Sequence, residues 1–535
     1  MTTTSLLRLF ALAILAFIGF SNLHAQDSKV RVKVKVDFDA QPDRELAVAK
    51  TVYGDEGSFV ALKTLGGKSV IGGIPGADLG WQLFVISSDK MYEVKHDQPK
   101  FVWGIGPVAM ETIETFNKTF RVILTKPDPD HGKLLLLQQV LSPRSLTGRA
   151  AALVAEIPYD RFGKSPDYFK PGMAVGFTTT KAGDGKHMLI GLSPASTTRS
   201  TGCPIVGVMV DGAMKPIWTN TLGTEPGNVR TDVVSTLVDK TGAAWYLIKN
   251  VTDAAPKTKD VVGYTYSLYR MDSLGQQGFP LDLGKKDFVQ EAAFTILPDG
   301  RLACAGIYSN GDVGRNESIG IFETTLDTAA GKWSVAERTP FELQTVKKVE
   351  RLQTNMHLER IWPKKDGGLY VVAERSGIET HQVSDLGGKK MDKTEWVNGA
   401  FHAMELDASG EKKWYTVVPR DMSFTNDGPG KTFSIAYSDV LFLFYNDADS
   451  NVELRKKKEP VESVDKPKEA LMLEFKGDGS YKEKAVLQDG YKQGYFNADT
   501  VWPMGDGLYG MSGAPDFRKD RTFPVVIELS DGGSR

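Results

Sequence analysis

Along the chain, apolar residues seldom recur at helical spacing. They come in short runs rich in Val, Ile, Tyr, Phe and Trp, separated by Asp-Gly and related turn signals. Such runs predict strands joined by tight turns, and hence an all-β chain. The runs also repeat. Arg360-Ile361-Trp362-Pro363-Lys364-Lys365-Asp366-Gly367-Gly368-Leu369-Tyr370 is echoed by Thr500-Val501-Trp502-Pro503-Met504-Gly505-Asp506-Gly507-Leu508-Tyr509, and more loosely by Thr295-Ile296-Leu297-Pro298-Asp299-Gly300-Arg301-Leu302. Related units surround Asp184-Gly185, Asp239 to Gly242 and Asp439, so the anchors recur at intervals of 55 to 73 residues. Each anchor is followed by a second short turn, as at Asp211-Gly212, Asp272 to Gly275, Asp407 to Gly410 and Asp478-Gly479.

Two tight hairpins per unit make four antiparallel strands, and their radial repetition is the plan of a β-propeller. Six units fall at 170–222, 230–285, 288–345, 350–420, 428–490 and 495–535, and two weaker ones within 44–165. The last unit lacks a fourth strand, which Lys29–Asp39, alternating Val with Lys or Arg, can supply. The expectation is a single propeller domain over 26–535: eight four-stranded blades, with seven as the alternative, closed by an N-terminal strand. In each blade the tight turns fall on one face and the longer connections on the other. The connections 250–263, 310–320, 376–399, 447–469 and 514–523 therefore mark the face on which binding residues are expected.

Ahead of the repeats, Arg8, the apolar run Leu9–Phe20 and the small residue Ala25 follow the order of a signal peptide over 1–25. Twelve apolar residues rise only about 18 Å, short of a bilayer's hydrocarbon layer. Export to a periplasm or the cell exterior is expected, with no membrane-spanning segment. The chain stops soon after an apolar strand-like run, so no appended sorting domain is expected. Lys plus Arg number 65 against 67 Asp plus Glu, which argues against a nucleic-acid partner. The two cysteines, Cys203 and Cys304, are a blade apart, so no disulfide is expected and Cys304 is expected to be buried.

Val154-Ala155-Glu156-Ile157-Pro158-Tyr159-Asp160, Ala305-Gly306-Ile307-Tyr308-Ser309-Asn310, and the stretch from Asp366 to Glu374 with Leu441 to Asp447 carry a resemblance. From about residue 110 to the C-terminus the chain resembles a group of secreted, propeller-like proteins of Bacteroidetes-type bacteria. The resemblance implies fold and export; the group has no assigned activity, so it implies no catalytic residues.

Known chemical motifs are missing. There is no HExxH, GxSxG, Walker loop or strand-linked GxGxxG, so no metal, cofactor or catalytic residue is assigned. His357 and Glu359, two apart on a strand, are read as sharing one face. Asp447-Ala448-Asp449-Ser450-Asn451-Val452-Glu453 alternates oxygen ligands like a calcium loop, but has Val at position six and Lys458 at position twelve. Residues 447–469 are therefore expected to be a charged, mobile loop. What remains is a polar cluster where strands meet the long loops: Tyr308, Asn310, Glu374, Arg375, Tyr445, Asn446, Asp447, Asn497 and Asp499, with Glu291 nearby. The expected function is non-catalytic binding of a glycan, a peptide or another envelope protein. The alternative is a polysaccharide hydrolase or lyase using carboxylates such as Glu374, Asp447 and Asp499.

Overall fold

The structure is a computed structural model. It describes residues 30–36, 46–53, 59–65, 81–86, 95–97, 109–141, 150–162, 175–194, 204–223, 230–252, 262–284, 286–313, 317–346, 349–351, 353–384, 390–424, 432–465, 469–489, 492–505, 507–514 and 523–532. The leader, Cys203, and most of the 250–263 and 514–523 connections lie outside them.

Among the described residues, eight sheets carry a path of four antiparallel strands, running in chain order across seven of them. Sheet I spans 46–97, II 109–158, III 175–222, IV 230–281, V 287–340, VI 356–424 and VII 433–485. Sheet VIII takes three strands from 495–531, and its fourth is Val30–Val36, paired antiparallel with Phe523–Asp531 from Val30↔Asp531 to Val36↔Val525. This repeated four-stranded meander is propeller architecture. First strands of neighbouring sheets touch: sheet III meets IV, IV meets V, V meets VI, VI meets VII, I meets II, and Leu46–Tyr53 meets Tyr495–Gly505 of sheet VIII.

Where burial is described, middle strands carry apolar runs because both their faces are covered. Leu302–Asn310 and Val440–Asp447 are buried along almost their whole length. Side chains of middle and first strands fill the layers between sheets: Phe433, Phe444 and Phe496 pack together between VII and VIII. Cys304, a free thiol, is buried between IV and V.

The Asp-Gly anchors have a local cause. At 364–368 the Gly367 N–H closes the turn on the Lys364 carbonyl at 3.1 Å, and Asp366 Oδ1 accepts from Gly368 N at 2.9 Å. Gly367 has φ +87°, which glycine adopts without a Cβ penalty. Where Gly is missing, as at Asn117-Lys118 and Ser438-Asp439, the turn residues still take positive φ. That is why the anchors of sheets II and VII were faint in the sequence.

Six first strands carry a register shift: Val48/Lys50, Met110/Thr112, Val233/Ser235, Val289/Glu291, Leu358/Arg360 and Asn497/Trp502. A bulge re-aims side chains. It also corrects the sequence reading of His357 and Glu359, because strict alternation fails across it. The two turn to opposite neighbours: His357 Nδ1 lies 2.6 Å from Glu291 Oε1 of sheet V, and Glu359 accepts from the Ser434 N–H of sheet VII at 3.1 Å.

Two long connections also differ from expectation. Residues 376–384 and 390–399 continue sheet VI, its second and third strands running through Leu369–Ser384 and Lys390–Leu406 as a ribbon. Within 447–469, which the charge run suggested was mobile, lies the α-helix Asp449–Lys457, with Asn451 and Arg455 buried.

Candidate functional site

The ribbon, the strand Met422–Phe424 and the segment around Val464 form a small accessory sheet. Trp396, Val397 and Asn398 pair with Phe424, Ser423 and Met422. Met422 bridges Val464 in parallel, with Ser423 N donating to the Val464 carbonyl at 3.0 Å and Val464 N to that of Asp421 at 2.9 Å. All of it comes from connections of sheets VI and VII.

Alternation gives this sheet two unlike sides. One is apolar: Met422, Phe424 and Val464 pack with Ala448 and Trp396. The other lines a cleft of about 380 Å³ with Arg375, Glu379, Glu395, Val397, Asp421, Ser423, Ser463 and Asp465. Four carboxylates thus face one guanidinium. Arg375 Nη2 pairs with Glu379, and Lys393 Nζ reaches Glu395 at 2.5 Å. Desolvation raises the Asp421 carboxyl, the charge of Glu379 adds to this, and Arg375 opposes it.

Beneath the cleft lies a buried ion network. Glu374 and Arg420, next in sequence to cleft residues Arg375 and Asp421, are both buried. Arg420 Nη1 lies 3.7 Å from Glu374 Oε2 and donates to Thr432 Oγ1 at 2.9 Å. Its guanidinium sits 4.9 Å from the Phe401 ring centroid and 5.8 Å from that of Tyr445. Arg455, from the helix, binds Asp447 Oδ2 and Glu483 Oε1, each at 2.6 Å, and the Pro419 carbonyl at 3.1 Å. Tyr445 donates to Glu483. Asn451 Nδ2 donates to Asp447 Oδ1 at 2.9 Å, and its Oδ1 accepts from Glu462 N at 2.8 Å. Burial pushes the Glu374 carboxyl up to about 7, against the pull of Arg420.

Of the residues singled out from sequence, the structure brings Glu374, Tyr445 and Asp447 into this network and Arg375 into the cleft above it. Asn446 faces sheet VIII, exchanging bonds with the backbone of Phe496 at 2.9 and 2.8 Å. Asn310 holds a turn, accepting from Asp312 N at 3.0 Å. Tyr308 is buried, with Arg338 5.9 Å from its ring centroid. Asn497 and Asp499 lie on Tyr495–Gly505, but their side chains are outside the described residues. Glu291 holds His357 and also accepts from Leu358 N at 2.7 Å, and that hydrogen bond to His357 raises the imidazole pKa. Arg420, Arg455, Asp421 and Asp465 were missed. A signal for two existed: Pro419-Arg420-Asp421-Met422-Ser423-Phe424 alternates from Asp421 as a strand does.

No family model matches the chain, and no curated protein matches it. Among solved structures, the chain is similar to a prolyl endopeptidase at TM-score 0.38 and 11% identity, over 94% of this chain and 60% of that one. It is also similar to a protein of unknown function from Dyadobacter fermentans at TM-score 0.34 and 10% identity, over 94% and 99% of the two chains. A third is the β-propeller domain of the Trilobed protease from Pyrococcus furiosus, at TM-score 0.33 and 7% identity over 84% and 98%. The chain spans 60% of the prolyl endopeptidase it matches. At these scores no activity is carried across. Among the described residues, no helix is long and apolar enough to cross a membrane.

Proposed function

We propose that this chain is an exported, eight-bladed β-propeller, closed by its N-terminal strand, that binds a partner without transforming it. Supporting the ring are the eight four-stranded sheets, the contacts between their first strands, and the pairing of Val30–Val36 with Phe523–Asp531. Export rests on the leader-like 1–25, and the kinship with secreted propeller-like proteins on the motifs quoted above. The observation that carries the binding role is the cleft of about 380 Å³ on the polar side of the accessory sheet. Loops held on a rigid scaffold are where binding residues concentrate. The carboxylates Glu374 and Asp447 are buried against arginines, the setting of structural charges.

The test uses purified residues 26–535. Glycan and peptide arrays are expected to yield a ligand whose binding is lost in E379Q/D421N, and assays on polysaccharides are expected to give no turnover. Turnover abolished by Glu374→Gln with folding intact would sink the binding-only reading. Single-particle images should show eight lobes; seven would refute the ring as proposed.

A further inference from the structure

His357 and Glu374 stand directly opposite each other in the ladder between the first two strands of sheet VI, at the root of the ribbon. We propose that this rung is a proton-operated latch, holding sheet VI to sheet V while both groups carry a proton and loosening sheet VI, with the ribbon rooted in it, as the protons leave. The latch does not depend on the binding role given to the cleft.

The geometry makes each proton count. His357 reaches across to sheet V, where Glu291 takes its Nδ1 at 2.6 Å with one oxygen and the Leu358 N–H at 2.7 Å with the other. One carboxylate thus clasps two consecutive residues of the next sheet. With a cationic ring the clasp is an ion pair; with a neutral ring only a hydrogen bond is left. Glu374, buried, lies 3.7 Å from Arg420, beyond hydrogen-bond distance. Protonated, it is a neutral group in a dry place; ionised, it is a desolvated carboxylate with an imperfectly placed counter-ion.

The backbone is interrupted at the same place. Register shifts fall at Val289/Glu291, at Leu358/Arg360 and at Glu374/Ser376, so each of the three side chains adjoins a break in a ladder. A bulge leaves a residue unpaired and disrupts the ladder locally. Side-chain contacts therefore carry more of the hold here than along an unbroken strand, and opening is local.

The charges around the rung set the direction. The Glu291 hydrogen bond, with Glu374 adding its charge, raises the His357 imidazole above its ordinary 6.5. Lys249 of sheet IV acts in turn on Glu291. Burial lifts Glu374 to about 7; Arg420 and His357 pull it down, and Glu359 of the same first strand pushes it up. Asp447 and Arg455 stand behind Arg420. The raised imidazole contributes stability that is complete below about pH 6.5 and lost as pH rises through its folded value. The raised carboxyl adds a penalty that is absent at low pH and grows over the same climb. Both protons leaving thus loosen sheet VI.

The test is hydrogen exchange of residues 26–535 read by mass spectrometry and corrected for the intrinsic pH dependence of exchange. Between about pH 5.5 and about pH 8.5, protection in Met356–Pro363 and Leu369–Ser384 is expected to fall roughly ten-fold more than in Ile205–Asp211 of sheet III. H357Q/E374Q, which keeps both shapes and neither titration, is expected to lose this extra fall. E291Q, which leaves both titrating groups in place and removes the anion, is expected to lower protection of sheet VI already at the acid end. An equal fall in sheets III and VI of the native chain overturns the latch and needs no variant. A full pH response retained in H357Q/E374Q, or acid-end protection unchanged in E291Q, overturns it as well.

Discussion

Among the described residues, Glu374 Oε2 accepts no hydrogen bond and meets Arg420 only at 3.7 Å. Its carboxyl is raised to about 7, burial being the chief cause. A folded-state value above the unfolded one means that the native state holds the proton longer. Glu374 therefore costs no stability below about pH 4.5, and its penalty grows as pH climbs toward 7 and stays complete above it. The raised value corresponds to at most about 3 kcal/mol. Glu374→Gln keeps the shape and removes the charge, so the variant should lose less stability between pH 5 and pH 8 than the native chain does. Denaturant midpoints at the two pH values check this; parallel loss in both chains would show that Glu374 is ionised throughout.

The helix Asp449–Lys457 is held by one side chain more than by its own sequence. Ala448 caps it without a side-chain hydrogen bond, and nine residues make a short helix that is marginal alone. Arg455, its side chain 1% exposed, binds Asp447, Glu483 and the Pro419 carbonyl, and so ties the helix to both sheet VII and the connection leading to the cleft. Removing one partner from a buried pair costs about 3–5 kcal/mol, because the other charges stay buried without compensation. Arg455→Ala should therefore lower stability by roughly that amount and open Lys456–Lys458 to trypsin at concentrations that leave the native chain intact. Unchanged cleavage would mean that the helix docks through other contacts. This element also marks the limit of what the sequence reveals. Strands, turns and unit boundaries were legible because each is encoded locally, in period-two runs and Asp-Gly turns. The helix was hidden because Arg455-Lys456-Lys457-Lys458 reads as a solvated charge run, whereas Asp447, the distant Glu483 and the Pro419 carbonyl make one of those cations internal. The cleft was half legible for the same reason: Arg375 stood out at a strand end, whereas Asp421 and Asp465 join it through pairing between connections of two different sheets.

At the scale of the whole molecule, the meeting of the chain's two ends sets how the last sheet is completed. Val30, Val32 and Val34 pack against the cluster that includes Phe496, Val525, Ile527 and Leu529, while Lys35 on the alternate face pairs with Glu528 at 3.1 Å. Without this strand, Phe523–Asp531 becomes an edge with free N–H and C=O groups, a template for another chain. Charging the inward positions tests this without shortening the chain. V32D/V34D places two carboxylates against apolar neighbours and forfeits the burial of two half-buried valines, a loss of about 2–4 kcal/mol from burial alone, with desolvation added. Two readouts separate closure from ordinary destabilisation. First, the variant should form dimers and larger species in light scattering at temperatures where Leu136→Ala, a core change of comparable cost in sheet II, stays monomeric. Second, a synthetic peptide of residues 27–38 added in trans should raise the variant's melting temperature and suppress association, because it restores the pairing Val30↔Asp531 to Val36↔Val525. If the peptide does neither and the variant melts as a monomer like the core mutant, the strand contributes packing alone.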